Sequence, residues 1–411
     1  MNRIFTLLLL AITVQAYTQD TKSVVTGSNY ADDVYYSFEG GALKTADRSE
    51  WDIAFTTAQM SVSILANNGA GVNLYAYYGG DINNWNEVDT TGMSWIPLYN
   101  SIETWEFGAF NISPVPDDPF DFSWGVYNPA NHNIDGDSIF IIALATGEFK
   151  KLAIIQKNAV ANQWMFKYAD LNGENEVSET FDADDYPGKE FVHYSIMNGQ
   201  FADHEPATRW QLLFTRYFDY TIPYFVSGVL ANEYVIIQQV NGVDQAGYMD
   251  YDPMLFNDTI SEIGSDWKEF NMGTFTYDVA PDVVYFVQDT LEGSNSPVWK
   301  LYFTEFSGSS TGTYTFVQQK LGTTGSKSLK STVFSVYPNP ASDQLNLVNN
   351  IDGEYQLRIY NMNGQVVLSK MINGKNVIDN QVIDISFLSP GIYNLGLYRE
   401  GEVESLKFIK K

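Results

Sequence analysis

The chain has no cysteine. That absence removes disulfides, thiolate-held zinc, iron–sulfur clusters, thiol nucleophiles and lipid anchors on Cys. Histidine is nearly as scarce, at three residues. Basic side chains number 23 against 50 acidic ones, leaving a net charge of −27. A field of that sign excludes nucleic acid, whose phosphates need clustered Lys and Arg, and docking on anionic bilayers. Long apolar runs are missing too, since no stretch approaches the ~20 residues needed to span a bilayer. The familiar catalytic strings are also absent: no G-x-S-x-G elbow, no H-E-x-x-H helix and no phosphate-cradling glycine loop.

What remains is a folded, aromatic-rich chain of 411 residues, 45% hydrophobic and 15% aromatic. That length implies two to three domains, each with its own core. Met1 to Ala16 reads as a secretory signal peptide. Arg3 gives the positive start, Ile4 to Ile12 the short apolar stretch, and Val14-Gln15-Ala16 small residues where a signal peptidase reads. The mature chain is expected to be exported, to begin near Tyr17 and to contain no membrane span.

Composition shifts near residue 320. Gly322-Thr323-Thr324-Gly325-Ser326-Lys327-Ser328 is small and polar, as a linker is. Residues 331–411 carry eight acids and seven bases, so the acidity belongs to the part before the linker. This tail alternates apolar and polar residues in short runs (Leu345 and Leu347; Tyr355, Leu357 and Ile359; Tyr393 to Leu397), with turn residues between them. About seven strands in ~80 residues predict a small Ig-like β-sandwich.

The tail also carries ordered motifs. Phe334-Ser335-Val336-Tyr337-Pro338-Asn339-Pro340 opens it. Ile359-Tyr360-Asn361-Met362-Asn363-Gly364 follows, then Leu388-Ser389-Pro390-Gly391-Ile392-Tyr393, and the basic end Lys407 to Lys411. This string closely resembles the type A C-terminal sorting domain of the type IX secretion system of Bacteroidetes. The resemblance places Tyr337, Pro338, Asn339, Pro340, Gly364, Gly391 and Tyr393 in the sorting motif. It implies as partners the type IX translocon and a sortase-like processing protease. Release into the medium, or attachment to surface lipopolysaccharide, would follow, so the protein is expected to be secreted or on the outer cell surface.

Ahead of the linker the sequence repeats itself. Tyr35-Tyr36-Ser37-Phe38 followed by Trp51-Asp52-Ile53-Ala54-Phe55-Thr56 parallels His193-Tyr194-Ser195-Ile196 followed by Trp210-Gln211-Leu212-Leu213-Phe214-Thr215. Further on, Lys150-Lys151-Leu152 parallels Trp299-Lys300-Leu301. Two matches in the same order indicate a duplication, so the fold class expected is all-β: two tandem β-sandwich-like domains and the sorting sandwich. The boundaries read from sequence are a signal peptide at 1–16, domain 1 at 17–185, domain 2 at 186–320, a linker at 321–332 and the sorting domain at 333–411. The Trp51 to Phe55 strand and Leu301 to Gly312 resemble the HmuY-type family of Bacteroidetes surface proteins. That resemblance implies haem held by paired histidines, but this chain lacks the lipidated Cys, and His132, His193 and His204 form no obvious pair. No haem site is therefore expected.

Two turns offer calcium-type oxygen ligands, Asn131 to Asp137 and Asp170 to Glu176, though neither fits an EF-hand loop. The acidic doublets Asp117-Asp118 and Asp184-Asp185 are the visible candidates for carboxylate chemistry, and adjacent acids on a strand face opposite ways. With no catalytic residues assigned, the sequence reads as a non-enzymatic binding or structural protein. The competing readings are a secreted glycan hydrolase using a carboxylate pair, and a haem or small-ligand carrier.

Overall fold

The computed structural model describes residues 19–115, 118–291, 296–321, 334–349, 352–361, 365–375, 379–399 and 402–411. The expected signal peptide, all of the linker beyond Leu321, and residues Asp117 and Gly364 lie outside them. The described residues form 29 β-strands joined by turns and short 3₁₀ segments, so the protein is all-β.

The described chain starts with β1 (Asp20–Val25) and the hairpin β2 (Asp32–Ser37) and β3 (Gly41–Asp47). Past Trp51 come β4 (Ile53–Thr56), β5 (Ile64–Ala66), β6 (Asn73–Tyr77), β7 (Gly125–Asn128) and β8 (Asn133–Gly136). Then follow β9 (Ile139–Ala143), β10 (Phe149–Asn158), β11 (Gln163–Asp170), β12 (Val177–Asp182), β13 (Phe191–Ser195) and β14 (Gln200–Ala202). The last stretch before the linker holds β15 (Leu212–Asp219), β16 (Tyr224–Ala231), β17 (Val235–Asn241), β18 (Lys268–Asn271) and β19 (Thr276–Val279). It ends with β20 (Val283–Asp289), β21 (Val298–Phe306) and β22 (Thr313–Lys320).

These strands make two sandwiches. In the first, the sheet β14-β13-β4-β5 faces a larger sheet containing β12-β11-β10-β9-β6. Between them lies a core that includes Ile53, Phe55, Trp124, Leu152, Trp164 and Tyr194. In the second, β3-β2-β15-β16 faces β1-β22-β21-β20-β17. Its core includes Tyr36, Leu212, Phe214, Trp267, Leu301 and Phe316. Alternation puts these side chains inward, because successive residues of a strand point to opposite faces.

The packed units are therefore not 17–185 and 186–320. Residues 20–47 belong to the second sandwich, and β12 to β14 belong to the first. The repeated segments are equivalent, but each repeat lends its opening hairpin to the other unit. Tyr36 lies opposite Leu212, Tyr35 opposite Leu213 and Val34 opposite Phe214. Tyr194 opposite Ile53, His193 opposite Ala54 and Val192 opposite Phe55 give the same register. The backbone bonds match as well: Asp52 N–H donates to the Tyr194 carbonyl at 2.9 Å, and Gln211 N–H to the Tyr36 carbonyl at 2.8 Å. Sequence similarity marks which residues correspond. Pairing decides which residues fold together, and a hairpin can pair with a strand far along the chain.

In the first unit, β11 turns directly into β12, with Tyr168 opposite Val177. In the second, the corresponding place is where β22 and β1 meet, with Gln318 opposite Asp20. The second sandwich is a circular permutation of the first, opened at that hairpin. Buried lysines confirm the correspondence. Lys151 and Lys300 are 1% and 0% exposed, and each ammonium is held by a backbone carbonyl of the loop covering its sheet, that of Trp85 at 2.6 Å and Ala246 at 3.0 Å.

After the linker, seven strands follow: β23 (Phe334–Tyr337), β24 (Gln344–Asn349), β25 (Asp352–Asn361), β26 (Val366–Lys375), β27 (Asp379–Asp384), β28 (Gly391–Arg399) and β29 (Glu402–Lys410). A sheet β23-β24-β27 and a sheet β26-β25-β28-β29 enclose Leu345, Leu347, Leu357, Ile359, Leu395 and Phe408.

Candidate functional site

Two places gather polar side chains with chemical meaning. The first is the joint where the chain crosses from the first sandwich to the second. Asp33, on β2, is buried and accepts from Arg48 Nε at 2.8 Å, Thr215 Oγ1 at 2.6 Å and His204 Nε2 at 3.1 Å. Burial alone would raise its pKa. Arg48, then His204 and Thr215, outweigh that cost and hold the carboxyl well below the usual range. Because ionised Asp33 can only accept, His204 carries its hydrogen on Nε2.

His193 and His204 lie in ring contact, with centroids 4.9 Å apart. Trp51 packs edge-on against His193 at 4.8 Å. The expectation that the histidines form no pair is thus corrected: eleven residues separate them in sequence, and the β13–β14 hairpin turns the chain so that both face one interior. The two rings touch each other directly. Burial, then the neighbouring His204, pushes the His193 imidazole well below its ordinary pKa, so it is neutral. His132 sits apart, in the β7–β8 turn, with Nδ1 2.6 Å from the Tyr127 hydroxyl.

Beside the histidines lies Glu205, 1% exposed. Its carboxyl is pushed up to about 7 by burial, against the pull of three donors. These are the N–H groups of Glu190 (2.9 Å) and Phe191 (2.9 Å) and Trp210 Nε1 (2.8 Å). The adjoining cavity, walled by Trp51, Trp105, His193, Trp210 and Leu213, measures only about 80 Å³. Pockets for ligands of drug size run roughly 300–1,000 Å³. In a separate group of acids, burial and the charges of Glu190 and Glu106 push Glu233 up to about 7. Neither this carboxylate group nor the Asp33 cluster was visible in the sequence, since their members come from segments up to 182 residues apart.

The residues singled out from sequence for calcium sit in hairpin turns that already use their oxygens. Asp135 accepts from Asn128 (3.2 Å) and Gln156 (2.7 Å), and Asp170 accepts from Asn175 (2.6 Å) and pairs with Lys150. Among the described residues no group of three or more His, Asp or Glu is placed to hold a metal ion. Asp184 accepts from Asn162 at 2.7 Å, while Asp118 and Asp185 are exposed on loops.

The second place is the sorting motif. Asn339 Oδ1 accepts from the Ile409 N–H at 2.8 Å. Ala341 N–H donates to the Ile409 carbonyl at 2.7 Å, and Lys411 N–H to the Ala341 carbonyl at 2.8 Å. The motif that opens the domain is therefore laced to the basic strand that ends it. Tyr337 is half exposed. Tyr393, two residues past Gly391, stacks on Phe408 with centroids 5.7 Å apart and donates to the Ser389 carbonyl at 2.9 Å.

The secretion system C-terminal sorting domain family matches residues 335–411. No match was found among curated proteins. Among solved structures, dimeric latent PorU from Porphyromonas gingivalis aligns over 95% of this chain and 34% of its own, at 9% identity and a TM-score of 0.17. The chain thus spans about a third of that protein's length, and the score brings no fold into correspondence. The sorting domain makes this chain a substrate of type IX secretion, secreted or attached at the cell surface.

Proposed function

We propose that residues 20–321 form a non-catalytic binding module, delivered by type IX secretion and used outside the cell. The observation that carries this reading is a surface-delivery domain joined to a cargo whose most elaborate polar centre is closed. Within the Asp33–Arg48–His204–Thr215 cluster the Asp33 carboxylate receives its donors from the protein itself, and the cavity beside it has room for little more than a few waters. Such a cluster fixes the angle between two sandwiches and leaves recognition to their outer faces. In this reading the units are divergent HmuY-like repeats, their shared strand register supporting descent from one domain. A signal peptide at 1–16 starts export. A sortase-like protease removes the sorting domain, and the module is released or joined to lipopolysaccharide. The test is deletion of residues 335–411: the cargo should accumulate in the periplasm, and undiminished surface display would refute the route.

A second reading, a glycan hydrolase, has one observation in its favour. Glu233, at about 7, stands near Glu190, and a carboxyl protonated near neutral pH beside other acids is how general acids are set. Reducing-sugar release from polysaccharide, abolished by Glu233→Gln, would establish it.

A further inference from the structure

On the second sandwich, sharing Arg216 with the cavity at the joint, lies a hollow of about 410 Å³, large enough for one or two sugar rings. Its base holds two cations, Arg216 of β15 and Lys268 of β18. Among the described residues neither has a carboxylate within ion-pair distance, in a protein of net charge −27. Lys268 Nζ donates to the Ser227 carbonyl at 2.6 Å and the Ser265 carbonyl at 3.3 Å, and it lies 4.4 Å from the Trp267 ring centroid and 4.8 Å from that of Phe306. Burial holds its ammonium down to about 7, a cost that an arriving anion relieves. Arg216 lies over the Phe225 ring at 5.2 Å, and its one backbone acceptor, the Gly69 carbonyl, is 3.5 Å away.

The walls are aromatic and hydroxylic. Tyr30, Tyr224 and Tyr277 line the hollow, and Tyr224 is 66% exposed at the mouth, next to Ile222 at 56%. Asn29 and Tyr30 both stand in the left-handed backbone region, at φ 55° and 59°. That conformation is rare for a bulky side chain and gathers where a site demands it. The strain places the Tyr30 ring parallel to Phe306 at 6.0 Å, on the wall of the hollow.

We infer that this hollow binds an acidic saccharide, its anion received by Arg216 and Lys268 and its ring face laid on Tyr224. Charge selects the anion, and the tyrosine rings suit the face of a sugar ring better than a peptide. The inference rests on the binding-module reading and names its ligand class.

The test is calorimetric titration of the full-length exported chain with tri-galacturonate and with mannose 6-phosphate, which separate carboxylate from phosphate as the anion. Neutral galactotriose and hexaglutamate serve as comparisons. Saturable binding of either acidic sugar is expected, weakened at least tenfold by Arg216→Ala or Lys268→Met and severalfold by Tyr224→Ala, an exposed position where folding is not at stake. No binding of either acidic sugar would overturn the inference, as would equal binding of hexaglutamate or galactotriose. Binding untouched by all three substitutions would overturn this site and leave the binding-module reading standing. Release of cleaved sugar would overturn that reading instead.

Discussion

Asp33 accepts a 2.6 Å hydrogen bond from Thr215, although the two are 182 positions apart in the chain. The bond joins β2 to β15 inside one sheet, and it exists because the hairpin at the start of the cargo completes a sandwich built from its far end. Residues 20–47 are thus structural members of the second unit, and the first unit is made of residues 51–204 alone.

Deleting residues 20–47 is expected to abolish folding of the second sandwich while the first stays intact. Its strands β22 and β15 would each lose a partner and expose Leu212, Phe214 and Phe316 to water. Limited proteolysis checks this: a stable fragment near 51–204 should survive and nothing covering 210–320 should.

Moving residues 20–50 to follow Lys320 through a short turn should restore the second unit, since Gln318 already lies opposite Asp20. The expected result is a cooperative thermal transition close to that of the original chain. An unfolded product would show that the order of the strands, and not their pairing alone, is required.

Trp51 and Trp210 occupy equivalent places, are 8% and 3% exposed, and each stands two residues ahead of a central strand of its sandwich. Truncating either to Ala should cost about 3–5 kcal/mol. Trp210→Ala carries the added loss of its bond to buried Glu205 and should be the more severe. Chemical denaturation measures both, with Trp51→Ala softening the first unit and Trp210→Ala the second.

The joint should be acid-labile. His193 has a folded pKa far below its unfolded value, so its neutral burial favours folding above about pH 6.5. That contribution is lost as pH falls through 6.5 toward the folded pKa, at up to about 1.4 kcal/mol per unit. Asp33 adds a second loss, present above about pH 4 and removed below it. Glu205 works the other way, because its raised pKa favours folding at low pH and loses that as pH rises through about 7. His193→Phe isolates the first effect: the stability difference between variant and original chain should shrink or reverse between pH 7 and 5. A difference that stays constant would remove His193 from the account.

Gly69 tests the contact between units directly. A Cβ there would stand 2.1 Å from the Arg216 carbonyl oxygen, against rigid backbone. Gly69→Ala should separate the sandwiches without unfolding either, seen as two resolved thermal transitions where one was present.

The sorting sandwich was legible because its strands pair mostly with near neighbours, so that Leu345 and Leu347, or Leu357 and Ile359, announce their face by spacing alone. The duplication was legible from Trp51 and Trp210 for the same reason. The exchange was not, since no local pattern records that Tyr36 faces Leu212 and not Ile53. The meeting of His193 and His204 depended on the same hairpin geometry. The hollow holding Arg216 and Lys268 draws on β15, β18 and the Asn29–Tyr30 turn, segments whose proximity only the closed sandwich creates.

The meeting of Asp20 with Gln318 has a consequence for a protein that must travel before it works. A chain clipped at its front, or one that stops before β22, cannot close the second sandwich and presents a raw sheet edge to proteases and to other chains. The fold thereby inspects its own completeness. Only a molecule that still has both ends of the cargo forms the module, and damaged copies identify themselves by the edge they fail to cover.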